Sequence, residues 1–136
     1  LKITKKTRYA IDAVGYIHNL VSKDEDTPRI SSKQIATELG LSVHFLSLVM
    51  RELRIAGILK SKKGPGGGYL LGHKIESITL NSILNAINES IKLNRPDQNH
   101  STLCKELEKR LQLEMNILAD QPLISFLQES YEQPSV

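Results

Sequence analysis

The chain has 136 residues, a net charge of +3 and a single cysteine. That length bounds it to one domain of common size with one core, and the lone cysteine excludes an internal disulfide and fits a reducing, cytoplasmic compartment. No apolar run approaches the ~20 residues of a membrane span, the opening Leu1-Lys2-Ile3-Thr4-Lys5-Lys6 reads as too short and too charged for a signal peptide, and a chain without tryptophan is poorly equipped to stack single-stranded bases.

The charge is unevenly spread. Residues 1–75 hold 13 Lys/Arg against 6 Asp/Glu, a balance of +7, and residues 76–136 hold 5 against 9, a balance of −4. A basic half is what attraction to phosphates requires.

In chain order, the first helix is expected over residues 7–22, with Ala10, Ala13, Val14, Ile17, Leu20 and Val21 facing inward. Lys2, Lys5, Lys6 and Arg8 cluster at its start, where cations oppose the helix dipole. Contact with a phosphate or simple solubility would each account for them. Residues 23–28 form a polar loop stopped by Pro28.

Residues 31–72 organise the rest. Ser31 or Ser32 can cap a short helix whose Ile35, Ala36 and Leu39 share one face. Gly40 suits a left-handed terminus, and Ser42 can cap the next helix. So short a turn makes the two helices cross steeply, as in a helix-turn-helix. The second helix reaches Ala56-Gly57 and buries Leu46, Val49, Met50 and Leu53. His44, Ser47, Leu48 and Arg51 lie opposite, with Arg54 at the edge. Ser and His can bond bases, and Arg reads guanine or phosphate; an ordinary solvated face is the alternative.

After Gly57 the period changes. Ile58-Leu59-Lys60-Ser61 and Tyr69-Leu70-Leu71 read as two strands around a glycine-rich tip that carries Lys62 and Lys63. A basic tip beside a recognition helix can lie along phosphates or enter a minor groove. A phosphate-binding loop would need Gly-Lys-Ser/Thr after its last glycine, and a dinucleotide loop would need glycine at 69; Tyr69 satisfies neither.

Thr79 can cap a helix running to about residue 90, with Leu80, Ile83, Leu84, Ile87 and Ile91 inward. Residues 92–101 read as a mobile loop. A long helix over residues 102–119 carries an apolar stripe of Leu103, Leu107, Leu111, Met115 and Leu118. A small domain has little core left to cover such a stripe, so the same helix of a second copy is the expected cover, giving a homodimer. Pro122 starts a last helix with Leu123, Ile124, Phe126 and Leu127 apolar, and the tail from 132 is expected to be disordered. The expected organisation is a DNA-binding unit over 1–91, a loop over 92–101, dimerisation and C-terminal helices over 102–131, and a tail over 132–136. The fold class is mainly α with a small β-hairpin wing: a winged helix-turn-helix plus a long C-terminal dimerisation helix.

Several motifs carry a family resemblance. They are Arg8-Tyr9-Ala10, Ile35-Ala36, Leu53, Ala56-Gly57-Ile58, Gly64-Pro65-Gly66-Gly67-Gly68-Tyr69-Leu70-Leu71, Ile78-Thr79-Leu80 and Ala86-Ile87-Asn88-Glu89. The chain resembles the Rrf-two family of bacterial regulators, the IscR-, NsrR- and CymR-like proteins, strongly over about residues 1–90 and loosely beyond. The resemblance implies a homodimeric winged-helix transcription factor on a near-palindromic operator in double-stranded DNA. It implies base contacts from positions like His44, Ser47 and Leu48, and wing contacts from positions like Ser61 and Lys63. In many members Lys63 is arginine; lysine keeps the charge and loses the fork geometry.

One departure matters. Cluster-binding members carry three cysteines before the dimer helix, and the loop here has none. One thiolate cannot supply an iron–sulfur cluster's ligands, so no cofactor and no metal is assigned. His100 and Cys104, four apart, are the pair that could share a helix face and bind a metal across a dimer; packing is the alternative for the cysteine. The same pair is the sole nucleophile–base combination, and nothing places an oxyanion site near it, so no enzyme is expected. The expected function is sequence-specific regulation of transcription, as a repressor without a cluster, answering to a regulatory protein or small-molecule signal. The alternative is a winged helix kept for protein interaction with DNA binding lost, which the polar and basic residues of the recognition helix's outer face disfavour.

Overall fold

The computed structural model describes residues 3–21, 29–91 and 99–132. Lys2, the loop over 23–28, most of the loop over 92–101 and the tail past 132 lie outside the described residues.

The first helix, α1, is Lys5–Val21. It starts two residues before the expected point because Thr4 acts as its cap: the Thr4 hydroxyl oxygen accepts from the Thr7 N–H at 3.1 Å. Its inward face, Tyr9, Ala10, Ala13, Val14 and Ile17, enters the core. Next come α2, Ser32–Leu39, and α3, Val43–Ile55. Ser31 is the cap of α2, its side chain accepting from the Gln34 N–H. Gly40 stands at φ +66, and its N–H and that of Leu41 both turn back to the Ala36 carbonyl. That left-handed residue is the steep turn between the helices.

Two expectations fail here. Leu39 is not buried with Ile35 and Ala36; it is 37% exposed at the end of its helix. Ser42 holds the N-cap position of α3 but makes no side-chain cap bond. Its backbone N–H donates to the Tyr9 hydroxyl at 3.0 Å instead. Tyr9 is buried and packs edge-on against Phe45, with ring centroids 5.0 Å apart. A side chain of α1 thus takes the N–H of the residue that precedes α3, tying the start of that helix to α1.

The wing is an antiparallel pair of β1, Leu59–Lys62, and β2, Gly68–Leu71, with Leu59 opposite Leu71 and Lys62 opposite Gly68. Each strand lies one residue from its expected position or length, so Lys62 ends a strand and only Lys63 belongs to the tip. In the tip the Gly67 N–H donates to the Gly64 carbonyl at 2.9 Å, with Pro65 and Gly66 (φ +72) between them. Proline followed by a positive-φ glycine is the pattern of a type II turn.

Not all the wing glycines serve the turn. Ile30 joins Tyr69 through two backbone bonds, an isolated bridge beside the two-stranded wing. A side chain at Gly68 would come within 2.6 Å of the Ile30 backbone, and one at Gly72 would overlap the Gly57 carbonyl oxygen. These two glycines let backbones approach and so fasten the wing to its neighbours.

A 3-10 turn over Ile75–Ser77 leads to α4, Leu80–Ala86, opened by a reciprocal capping box between Thr79 and Ser82. The helix ends four residues before the expected point. Asn88 takes φ +56, a conformation asparagine tolerates, and the Glu89 N–H turns back to the Leu84 carbonyl. Ile83, Leu84 and Ile87 are buried, while Leu80 and Ile91 are half-buried. Then come α5, Thr102–Ala119, capped by Ser101, and α6, Leu123–Glu132. The Leu123 N–H donates to the Ile78 carbonyl, and Leu123 and Ile124 pack on the core.

Lys6 corrects the expected cationic cluster. Its ammonium donates to the Ile87 carbonyl at 2.7 Å and pairs with the Glu52 carboxylate at 3.0 Å. It is a clamp between α1, α3 and the end of α4, where a cation is also favoured by the helix dipole.

Replacing Gly72 by Ala is expected to destabilise the fold by roughly 1–3 kcal/mol or more, through overpacking against Gly57. Replacing Lys6 by Met should cost about 1 kcal/mol, since the pair is partly solvated. Urea unfolding followed by circular dichroism checks both; midpoints equal to the wild type's would refute the close approach and the clamp.

Candidate nucleic-acid interface

The buried residues of α3, Leu46, Val49, Met50 and Leu53, fix which of its residues face out. His44, Arg51 and Arg54 are exposed, and Leu48 is 62% exposed. Ser47 is different. It is half-buried in the angle between α2 and α3, its hydroxyl donating to the Val43 carbonyl at 2.8 Å and lying 3.2 Å from the Ser32 hydroxyl. A base edge would have to compete with both partners.

Ile55, 68% exposed, shares the outer face and was not among the expected site residues. Helical spacing from Leu48 and Arg51 is the signal that finds it. Leu48, Arg51 and Ile55, with Phe45 and Lys6, line a groove of about 470 Å³ beside the start of α1. Glu52 is the only acidic residue of α3, and Lys6 neutralises it. The charge on this face is therefore left to the arginines.

On the wing, Lys60, Ser61, Lys62 and Lys63 are all exposed. Lys60 extends the row of cations beyond the expected tip. Arg8, on α1, is exposed with its guanidinium 5.6 Å from the Tyr9 ring. Lys5 stands over the Tyr9 and Phe45 rings, at 5.5 and 5.0 Å from their centroids. These cation–π contacts hold two positive groups near the first turn of α3.

The apolar stripe of α5 stands in solvent along most of its length. Leu103 is 81% exposed and Leu107 56%, and Leu111 and Leu118 are exposed too. Met115 is the half-buried exception. It lines an apolar cavity of about 250 Å³ with Leu80, Ile91, Ala119 and Phe126, among others. The opposite side of α5 is tied to its own chain: the Gln112 amide donates to the Ile91 carbonyl, and Asn81 donates to Asp120.

At the start of α5 the expected pair of His100 and Cys104 is joined by a third residue. Nδ1 of His100 lies 2.6 Å from the Glu108 carboxylate and 3.6 Å from the Cys104 sulfur, which is 3.4 Å from that carboxylate. Cys104 is thus half-exposed among polar partners and is not a packing cysteine. Its thiol donates to Glu108, which holds the pKa above the usual thiol value; desolvation and the carboxylate's charge act in the same direction. Glu108 completes an i, i+4, i+8 row that the spacing alone could have indicated.

Residues 3–129 match the Rrf2 family model, described as an iron-dependent transcriptional regulator. Over 95 residues the chain is 33% identical to the HTH-type transcriptional regulator IscR of Klebsiella pneumoniae, covering 70% of this chain and 56% of that protein. The chain thus spans just over half the length of the curated relatives it matches. The solved structure of CymR, the global cysteine regulator of B. subtilis, is 30% identical, with a TM-score of 0.75 over 98% of this chain and 99% of that one. That of IscR from T. potens is 25% identical, with a TM-score of 0.70 over 100% and 94%. The chain belongs to the Rrf-two (Rrf2) family and has its winged helix-turn-helix fold.

Proposed function

We propose that the chain is a sequence-specific DNA-binding transcription regulator, a repressor acting as a two-fold homodimer on a near-palindromic operator. The observation that carries this reading is the shared exposure of His44, Leu48, Arg51 and Arg54 on α3 and of Lys60, Ser61, Lys62 and Lys63 on the wing. Arg8 adds a cation from α1, and Ser47 contributes in competition with its Val43 and Ser32 partners. Membership of a family of transcriptional regulators supports it. No helix of the described residues is long and apolar enough to cross a membrane. The exposed residues Leu103, Leu107, Leu111 and Leu118 are the proposed seam between copies, with Met115 at its inner edge.

The regulator works without an iron–sulfur cluster. Such clusters rest mostly on cysteine thiolates, and this sequence offers one. Protein purified anaerobically is expected to show no cluster absorption and to bind its operator in the presence of a chelator. Visible iron–sulfur bands that vanish on replacing Cys104 would overturn this part of the reading.

One observation favours the protein-interaction alternative: Leu48 and Ile55 put exposed apolar surface on the outer face of α3. Two classes of variant separate the readings. Replacing Lys62 and Lys63 by Ala should weaken specific and unrelated DNA alike, and each lost phosphate contact should reduce the slope of log affinity against log salt by about 0.9. Replacing His44 by Ala should leave the slope nearly unchanged and alter which sequences are preferred. The loss at the cognate base pair should be below the roughly 1–3 kcal/mol of a bidentate contact. A wild-type slope in the lysine variant with unaltered preferences in the histidine variant would put protein interaction ahead.

A further inference from the structure

Among the described residues, one cluster of side chains outside the proposed DNA face has the chemistry of a ligand set. His100 sits just before Ser101, the N-cap of α5, and Cys104 and Glu108 follow at successive steps of four, so all three project from one side of the helix start. One donor atom from each lies within 4.8 Å of the others. All three residues are half-buried.

We propose that His100 Nδ1, the Cys104 sulfur and a Glu108 carboxylate oxygen form a mononuclear site for a divalent transition-metal ion. This goes beyond the regulator reading and does not depend on it. It is also distinct from a cluster site, since it needs one thiolate.

Bond lengths allow it. Metal–ligand distances of about 2.0–2.3 Å in a tetrahedral site place N, O and S donors roughly 3.4–3.6 Å apart. The sulfur already stands 3.6 Å from the histidine nitrogen and 3.4 Å from the carboxylate. Only the 2.6 Å separation between His100 and Glu108 must open, by under about 1 Å. That contact is a hydrogen bond in the absence of an ion, and side-chain rotation suffices to open it.

The charges agree as well. On binding, Cys104 releases its thiol proton, and the imidazole keeps its single proton on Nε2, freeing Nδ1 to ligate. Thiolate, carboxylate and neutral imidazole together carry −2, which a divalent ion cancels. Sulfur and imidazole donors favour zinc, cobalt or iron over magnesium or calcium. Three ligands leave a fourth position for water or an exogenous group.

Cobalt(II) titration of the full chain, stripped of metal and kept reduced, tests the site. Saturation at one ion per chain is expected, with thiolate-to-cobalt charge-transfer absorption and the ligand-field bands of a four-coordinate ion. Zinc(II) should displace them. Cys104→Ser should abolish the charge-transfer band, and His100→Ala and Glu108→Gln should each weaken binding by at least about tenfold, as loss of even a supporting partner does. Circular dichroism of the variants should match the wild type's, since the residues are at the surface. Absence of the charge-transfer band, or cobalt binding undiminished in both His100→Ala and Glu108→Gln, would overturn the proposal.

Discussion

The rotation of α3 about its own axis is the constraint on which the rest depends. Leu46, Val49, Met50 and Leu53 are almost fully buried, so the helix can settle in one orientation only. Turning it to present another face would expose four large apolar side chains, each worth about 1.5–3 kcal/mol when buried. Its two ends are pinned separately. Tyr9 takes the N–H of Ser42 at the start, and the Ile58 N–H returns to the Leu53 carbonyl at the end. The wing is fastened close by, where Gly72 meets Gly57 and its N–H donates to the Ile58 carbonyl. The outer face of α3 and the lysines of β1 are therefore held in a fixed mutual relation, which a rigid duplex requires of a protein that contacts it at two places.

How far this was legible in the sequence depended on the range of the interactions. The 3.6-residue period identified the buried stripes of α1 and α3, and Gly40 marked the turn between α2 and α3, because both are local signals. The long helix over 102–119 was legible for the same reason. Contacts between distant residues were not. Nothing near Lys6 in sequence foretells Glu52 or the Ile87 carbonyl, so the pattern offers only a phosphate contact or a solubilising charge where the fold has a clamp. Ser42 holds the cap position that the local pattern indicates, but the hydroxyl of Tyr9 that takes its N–H lies thirty-three residues away and leaves no local signal. Gly68 reads as part of the glycine-rich tip, whereas it and Gly72 are set by backbones passing at close range. At the candidate site, exposure of the basic residues followed from the period, but the engagement of Ser47 with Ser32 required the crossing of two helices to be seen.

The long helix α5 has two chemically different sides. Gln112 and Ala119 face their own chain, Leu103, Leu107 and Leu111 stand exposed, and Leu118 lies at the edge of the cavity lined by Leu80 and Phe126. Cys104 and Glu108 directly follow Leu103 and Leu107 in sequence. The proposed seam between copies and the proposed metal ligands are thus neighbours on the first turns of one helix. An ion held there would bind His100, in the segment before the helix, to residues one and two turns into it, stiffening the end of α5 nearest residues 92–98. The C-terminal helix α6 returns to the core through Leu123 and Ile124, so this region is also joined to the body that carries α3.

The central claim is that two copies of the chain present two recognition helices to one duplex. Hydroxyl-radical footprinting on an operator selected from genomic fragments tests it most directly. The account predicts two protected half-sites related by a two-fold, with centres about 34 Å apart, one turn of the double helix. A single protected half-site, bound as tightly by a monomer as by the dimer, would contradict it.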